Sequence, residues 1–145
     1  QNSEDYSIKA MLEAFEKKGL TLRQPNVILI KVEKDLVVGG YASHGWSISE
    51  KKRGDSSCFL FNLKQNFRFT SVPGKPFYQE TISKDGIKFG ETDLVIQGDF
   101  EDVSSEINGD YFVFGTHLLQ NKLDSLIPDK KHFKPESVEV WSFNE

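Results

Sequence analysis

The chain has 145 residues, of which 37% are hydrophobic and 28% charged, and its formal net charge is −4. This length suits one domain with one core, and no apolar run approaches the ~20 residues that a membrane-spanning helix needs, which excludes direct membrane insertion. The only cysteine, Cys58, cannot form an internal disulfide and indicates a reducing compartment, so we expect a cytoplasmic protein. Gln1 begins the chain without a basic-then-apolar leader, and we expect a single domain excised from a longer protein.

Negative charge is concentrated between Phe89 and Asn121, a stretch that we call the acidic segment. It contains no Lys or Arg and has seven carboxylates: Glu91, Asp93, Asp99, Glu101, Asp102, Glu106 and Asp110. A nucleic acid is bound by a basic surface, so the acidic segment argues against such a partner.

The first predicted element is a helix from Ser7 to Lys18. Its apolar residues recur at the spacing of one helical face: Ile8, Met11, Leu12 and Phe15. Ser7 or Asp5 can cap the start of this helix, and Gly19 can end it.

A β-hairpin follows, with strands predicted at Val27–Val32 and Leu36–Ser43. Glycine weakens the interior of a strand, so Gly39 and Gly40 need a geometric reason. We expect a bulge or a close approach by another backbone, with a kink in the strand.

The loop His44–Ser57 is long and polar, which predicts a surface position. Trp46 within it either packs over the end of the core or contacts a partner. The next segment, Cys58–Leu63, is largely apolar at both alternating sets of positions, which predicts an inner strand covered on both faces.

Short apolar segments separated by turn signals predict the remaining strands: Phe67–Thr70, Phe77–Ile82, Ile87–Phe89, Leu94–Ile96, Tyr111–Phe114 and a last strand after Pro135. Mixed apolar spacing over Thr116–Ile127 predicts one or two helical turns. Together these elements predict a mainly β (α+β) fold, a two-sheet antiparallel β-sandwich flanked by a few helices.

Four motifs occur in a familiar order between Val37 and Phe143: VVGGYASHGWS, GDSSCFLFNL, FGETDLVI and ESVEVWSF. In order and spacing they resemble the TLDc domain family. The resemblance identifies six motif residues: Gly40, Trp46, Gly90, Asp93, Glu139 and Trp141. It implies the same sandwich fold with helices at its edges.

The resemblance to TLDc proteins also implies a non-enzymatic protein-interaction domain. Members of that family are tied to oxidative-stress resistance, and several bind the vacuolar proton-pumping ATPase and regulate its assembly. Others carry the domain beside a Rab GTPase-activating domain. We therefore expect a protein partner, including subunits of this pump, which would place the domain at the periphery of endomembranes. The expected contact residues are His44, Trp46, Glu91, Asp93, Glu101, Asp102 and Glu106.

The chain departs from many family members after Phe89 and Gly90. A run of glycines is common there, and this chain has Glu91-Thr92-Asp93 instead. If the glycine run shapes a contact to the pump, the departure weakens that contact.

Two other classes of function stay open. Cys58 and His44 are the only thiol–imidazole pair for an enzyme, but Cys58 lies in an apolar strand, which is typical of an inert cysteine. The histidines are widely spaced and no zinc or calcium pattern occurs, so no metal or cofactor is expected. The alternative to a protein partner is a carbohydrate- or peptide-binding sandwich in which Trp46 or Trp141 stacks on the ligand.

Overall fold

The computed structural model describes residues 7–33, 35–114 and 124–143, which form one helix and twelve strands. The helix α1 spans Ile8–Lys18. The strands, in chain order, are β1 (Asn26–Glu33), β2 (Leu36–Ala42), β3 (Lys52–Arg53), β4 (Phe59–Asn62), β5 (Phe67–Ser71), β6 (Gln79–Ser83), β7 (Gly86–Phe89), β8 (Leu94–Gln97), β9 (Asp102–Ser104), β10 (Phe112–Phe114), β11 (His132–Phe133) and β12 (Ser137–Ser142).

The strands make two antiparallel sheets of six strands each. The first sheet has the order β10-β5-β4-β2-β1-β12, and the second has the order β11-β9-β8-β7-β6-β3. This arrangement confirms the predicted β-sandwich. A few flanking helices were expected, and the described ranges contain one. Most of the segment predicted to form helical turns, Thr116–Ile127, lies outside the described residues.

Helix α1 is fixed at both ends by hydrogen bonds. Ser7 Oγ accepts from the amide of Ala10 at 3.1 Å, as an N-cap residue does. At the other end Gly19, with φ of +100°, donates its amide to the carbonyl of Glu16. The apolar face is buried as the sequence predicted, and its members are Ile8, Met11, Leu12 and Phe15.

The glycine pair of β2 allows two close approaches. The pairing of β2 with β1 is regular at Gly39 and Gly40, so no bulge lies there, and the register shift lies at the turn end, between Lys31 and Glu33. A Cβ at Gly39 would collide with the carbonyl oxygen of Ile28. The expected close approach by another backbone is therefore confirmed, while a bulge is not the reason for this glycine.

Strand β4 is fully buried on its inner face and partly covered on its outer face. Cys58, Leu60 and Asn62 point into the core and are almost fully buried. On the outer face Phe59 is half-buried and Leu63 is 58% exposed. Phe61, between them on the same face, is 8% exposed. The prediction that both faces are covered is therefore confirmed for Phe61 and wrong for the two ends of the outer face.

We expect Gly40→Ala to destabilise the domain by about 1–3 kcal/mol, because an added Cβ would lie 2.8 Å from Leu60 Cδ2 and 2.8 Å from Phe89 Cζ. Denaturant unfolding measures this loss. The matched control is Gly86→Ala, whose Cβ would find no heavy atom nearer than 3.5 Å. Equal stability of the two variants would contradict the packing argument.

Candidate functional site

Trp46 belongs to the core. Its side chain is 1% exposed, and its indole packs edge-on against Phe89 with the ring centroids 5.4 Å apart. Trp46 Nε1 donates to Asn26 Oδ1 at 2.9 Å, so the polar atom of the ring is satisfied inside the fold. A side chain this buried cannot touch a partner. The expected contact role of Trp46 is therefore corrected to the packing role that the sequence also allowed.

His44 is half-buried, and its backbone joins the two sheets. The His44 carbonyl accepts from Asn26 Nδ2 and from Gln79 Nε2, each at 2.9 Å. Its ring Nδ1 lies 2.8 Å from Ser43 Oγ. These contacts give His44 a structural role, and the half-buried ring offers a partner only part of its surface.

The thiol of Cys58 is not arranged for catalysis. It is 1% exposed, and Ser43 Oγ, at 3.5 Å, is placed between it and the His44 ring. Burial raises the pKa of the Cys58 thiol, which keeps it protonated at neutral pH. A nucleophilic cysteine needs the opposite shift and access to substrate.

Gly90 and Asp93 form one tight turn between β7 and β8. Gly90 has φ of +64°, and a Cβ there would collide with Asp93 Oδ1. The Asp93 side chain thus covers the glycine, while its Oδ1 accepts from the Glu91 amide at 3.3 Å. Asp93 is 2% exposed, so it cannot serve as the predicted direct contact.

The same turn ties later segments of the chain together. The Asp93 carbonyl accepts from Ser105 Oγ at 2.7 Å, and that hydroxyl in turn accepts from the Leu126 amide at 3.0 Å. Two further hydrogen bonds join Thr92 and Glu106. The Glu106 amide donates to the Thr92 carbonyl, and Thr92 Oγ1 donates to the Glu106 carbonyl. Asp93 takes part in this network through its backbone carbonyl, so these bonds fix the turn. The Asp93 side chain contributes separately, by accepting from the Glu91 amide and packing over Gly90.

The Asp93 carboxyl is not fully satisfied in its buried position. Its Oδ2 has no hydrogen-bond partner among the described residues. Burial raises the pKa of Asp93 to about 7, and the nearby negative charge of Asp110 adds to the rise. The Glu91 amide favours the charged form and offsets part of this effect.

The acidic segment divides into two patches at opposite ends of β8, since the chain reverses direction at each end of this strand. The first patch comprises Glu91, Glu106 and Asp110, which are exposed. Within it Glu106 is paired with Lys131 at 3.6 Å and Asp110 with Lys75 at 2.9 Å. Much of the charge of the first patch is therefore neutralised.

The second patch lies at the turn between β8 and β9. Glu101 and Asp102 are both exposed there, and neither has an ion pair within the described part of the chain. Asp99 in the same turn is already used, because its Oδ1 accepts from the Ile8 amide at 2.7 Å. β8 has four residues, so the two patches are separated by roughly 13 Å along the strand.

A shallow groove of about 430 Å³ adjoins the second patch. Its walls come from β8, β9 and β11 and from Lys134, the residue that follows β11. The lining residues are Gln97, Asp102, Val103, Ser104, His132, Phe133 and Lys134. The groove thus combines the carboxylate of Asp102 with the basic side chains of His132 and Lys134. The sequence did not predict this groove, because Asp102 and His132 are brought together only by the pairing of β9 with β11.

Glu139 and Trp141 lie two residues apart on the outer face of the first sheet. Trp141 Nε1 donates to Glu139 Oε1 at 2.8 Å, and Trp141 is 43% exposed. Unlike Trp46, this indole is available to solvent.

Among residues 7–33, 35–114 and 124–143, no group of three or more His, Cys, Asp or Glu side chains is arranged to hold a metal ion. Within the same ranges, no helix is long and apolar enough to cross a membrane.

We expect Trp46→Ala to lower the free energy of unfolding by about 3–5 kcal/mol, because it removes a fully buried ring and leaves Asn26 Oδ1 without its donor. Chemical denaturation measures the loss. Trp141→Ala is the matched control and should cost less than about 1 kcal/mol, since that ring is exposed. A stable Trp46→Ala variant would contradict the core assignment.

Asp93 should make the domain less stable as the pH rises. Below the unfolded-state pKa of 3.8 the carboxyl is protonated in both states and has no effect. Between 3.8 and about 7 only the native state keeps the proton, so the free energy of unfolding falls with rising pH, by an amount on the order of 4 kcal/mol. Above that range the loss is complete and levels off.

The variant Asp93→Asn tests this dependence, because its amide is neutral throughout and retains an acceptor for the Glu91 amide. At pH 8 it should be more stable than the wild type, and the advantage should shrink as the pH falls toward 4. Asp129→Asn, at an exposed position, is the control. Parallel stability curves for Asp93→Asn and the wild type would contradict the burial of a proton-binding carboxyl.

Comparison with known proteins finds relatives that contain this domain within longer chains. The chain is 29% identical over 129 residues to MTOR-associated protein MEAK7 of Danio rerio, covering 82% of this chain and 27% of that protein. It is 23% identical over 132 residues to Nuclear receptor coactivator 7 of Gallus gallus, covering 91% of this chain and 14% of that protein. The chain therefore spans about a quarter or less of the length of these relatives.

The family comparison agrees with the motif contacts. The profile of the TLDc domain matches residues 1–144, nearly the whole chain. Within that range Gly40 lies under Phe89, and Phe89 contacts Trp46, so motifs that are far apart in the sequence meet in the core. The protein belongs to the TLDc domain family.

Proposed function

We propose that this domain is a non-enzymatic interaction module that presents Glu101 and Asp102 to a basic surface of a protein partner. The observation that carries the proposal is the state of these two carboxylates. They are adjacent and exposed, and no ion pair with a described residue neutralises them, whereas Glu106 and Asp110 are paired with lysines. Unpaired charges of one sign accelerate the encounter with an oppositely charged partner.

A binding role fits the chemistry of the site better than catalysis does. The Cys58 thiol is buried and its pKa is raised. Trp46, which could have stacked on a sugar or peptide, is inside the core. The groove beside Asp102 is open and mixed in polarity, which suits a side chain of a partner more than an enclosed small substrate.

The partner that we propose is a subunit of the vacuolar proton-pumping ATPase, contacted from the cytoplasm, with oxidative-stress resistance as the cellular consequence. The TLDc family membership supports this choice. A second candidate is an mTOR-containing assembly, because one relative is described as MTOR-associated. We propose the same surface, Glu101 and Asp102, for either partner, so variants of these two residues test both candidates.

The experiment compares three baits in a lysate that contains cytosol and vacuolar membranes. These are the wild-type chain, the double variant Glu101→Gln/Asp102→Asn, and the control Glu91→Gln/Glu106→Gln, which removes the same charge from the first patch. We expect pump subunits, measured by immunoblotting, to be retained by the wild type and the control. The second-patch variant should retain at least about tenfold less.

Three results would count against this proposal. Pump subunits absent from every bait would show that the proposed partner is wrong, and mTOR retained in their place would favour the second candidate. Equal losses from both double variants would mean that total charge matters and that the second patch has no special role.

A further inference from the structure

The outer face of the first sheet carries an apolar surface that is covered only in part by the described residues: Phe61 is 8% exposed, whereas Tyr41 and Phe59 are half-buried. Its largest members, which we call the aromatic face, are Tyr41, Phe59, Phe61, Trp141 and Phe143. Trp141 and Phe143 are 43% and 49% exposed at one corner of this face, and Leu63, at the opposite corner, is 58% exposed. Contiguous apolar surface of this kind marks an interface more often than an isolated exposed residue does.

The aromatic rings of this face are ordered against one another. Tyr41 stacks on Phe59 with centroids 5.3 Å apart, and Phe143 lies 6.4 Å from Tyr41 on the other side. Phe59 also contacts Phe61 at 6.1 Å, and the Arg68 guanidinium lies 4.7 Å above the Phe59 ring. A preformed, rigid surface loses little conformational entropy when it binds.

The register of the strands places opposite charges at the two sides of this face. One row of paired residues crosses β12, β1, β2, β4 and β5 in the order Glu139, Leu29, Gly39, Phe61 and Arg68. The row therefore begins with a carboxylate, has a glycine at its centre and ends with a guanidinium. Phe61 leans over this glycine, since a Cβ at Gly39 would lie 3.1 Å from Phe61 Cζ.

We propose that the aromatic face binds a second copy of this chain, packed face to face about a two-fold axis that runs along β2. Such an axis exchanges β12 with β5 and β1 with β4, because β2 is midway between them in the sheet order. Glu139 then faces Arg68 of the second copy, and Leu29 faces Phe61 of the second copy. The charges pair and the apolar side chains meet, so the face is complementary to itself.

The neighbouring row supports the same axis. It runs Trp141, Val27, Tyr41, Phe59 and Thr70 across the same five strands. Under the two-fold operation Tyr41 faces its own equivalent and Val27 faces Phe59 of the second copy. No like charges are brought together in either row.

The size of the face predicts a weak, reversible dimer. Five strands spaced about 4.8 Å apart and three rows of side chains give a patch of roughly 20 Å by 20 Å on each copy. Both copies together then bury roughly 800 Å², below the ~1,600 Å² of standard interfaces and in the range of weak, transient contacts. The aromatic face and the carboxylates Glu101 and Asp102 are on different sheets, so this inference is independent of the proposed function.

Sedimentation equilibrium of the 145-residue chain between about 1 and about 200 μM tests the proposal. We expect the wild type to dimerise. Arg68→Glu places two carboxylates opposite each other, and Glu139→Arg places two cations opposite each other. Each should weaken the dimer at least about tenfold, while the charge-swapped double variant Arg68→Glu/Glu139→Arg should recover most of the affinity.

The matched control is Lys84→Glu, which makes the same charge change as Arg68→Glu at an exposed position in the turn between β6 and β7 of the other sheet. It should leave the dimer unchanged. A wild type that stays monomeric over the whole range would overturn the proposal, and so would a double variant that fails to recover. If a variant does not melt cooperatively, its loss of dimerisation is uninformative. The dimer interface is then mapped by NMR on the wild-type chain instead. The amide signals of Gly39 and Tyr41 should shift on dilution while that of Lys84 stays fixed, and unchanged signals at Gly39 and Tyr41 would also overturn it.

Discussion

Close packing against the middle of β2 is the constraint on which the rest of the structure depends. Because Gly40 has no side chain, the Phe89 ring of the opposite sheet reaches the β2 backbone, and Phe89 then supports Trp46 edge-on. Trp46 in turn donates to Asn26 at the start of β1. Interiors are packed as densely as organic crystals, so a methyl group added at Gly40 would force Leu60 or Phe89 to shift. The motifs are therefore best understood as one connected packing unit.

The sequence predicted the fold well because most of its elements have local signals. The helix had a complete apolar stripe with a cap at each end, and the hairpin had strand-like residues on both sides of a charged turn. The outer face of β4 is less covered than predicted, since Phe61 is buried but Phe59 is only half-buried, and the reason is physical. Alternating apolar residues such as Phe59 and Phe61 look the same whether a second layer or solvent lies over them. Periodicity reports the strand but not what covers it.

The candidate site was less predictable than the fold, because it depends on which distant residues become neighbours. Seven carboxylates close together in sequence suggested one surface, yet the turns on either side of β8 send them to two ends of the sheet. Lysines distant in sequence pair with carboxylates at one end, as Lys131 does with Glu106. Asp93 was expected at a surface, but it is enclosed by the turn that it helps to form. Charge density along a sequence therefore overestimates the charge that a partner meets.

The hydrogen bond from the Ile8 amide to Asp99 Oδ1 joins residues that are 91 positions apart. The first turn of helix α1 is thus completed by a side chain from the last third of the protein. During synthesis from the N-terminus, this helix leaves the ribosome long before its acceptor exists, and a short helix alone in water is marginal. The first described element of the chain therefore obtains one of its N-terminal hydrogen bonds only when the turn between β8 and β9 is in place.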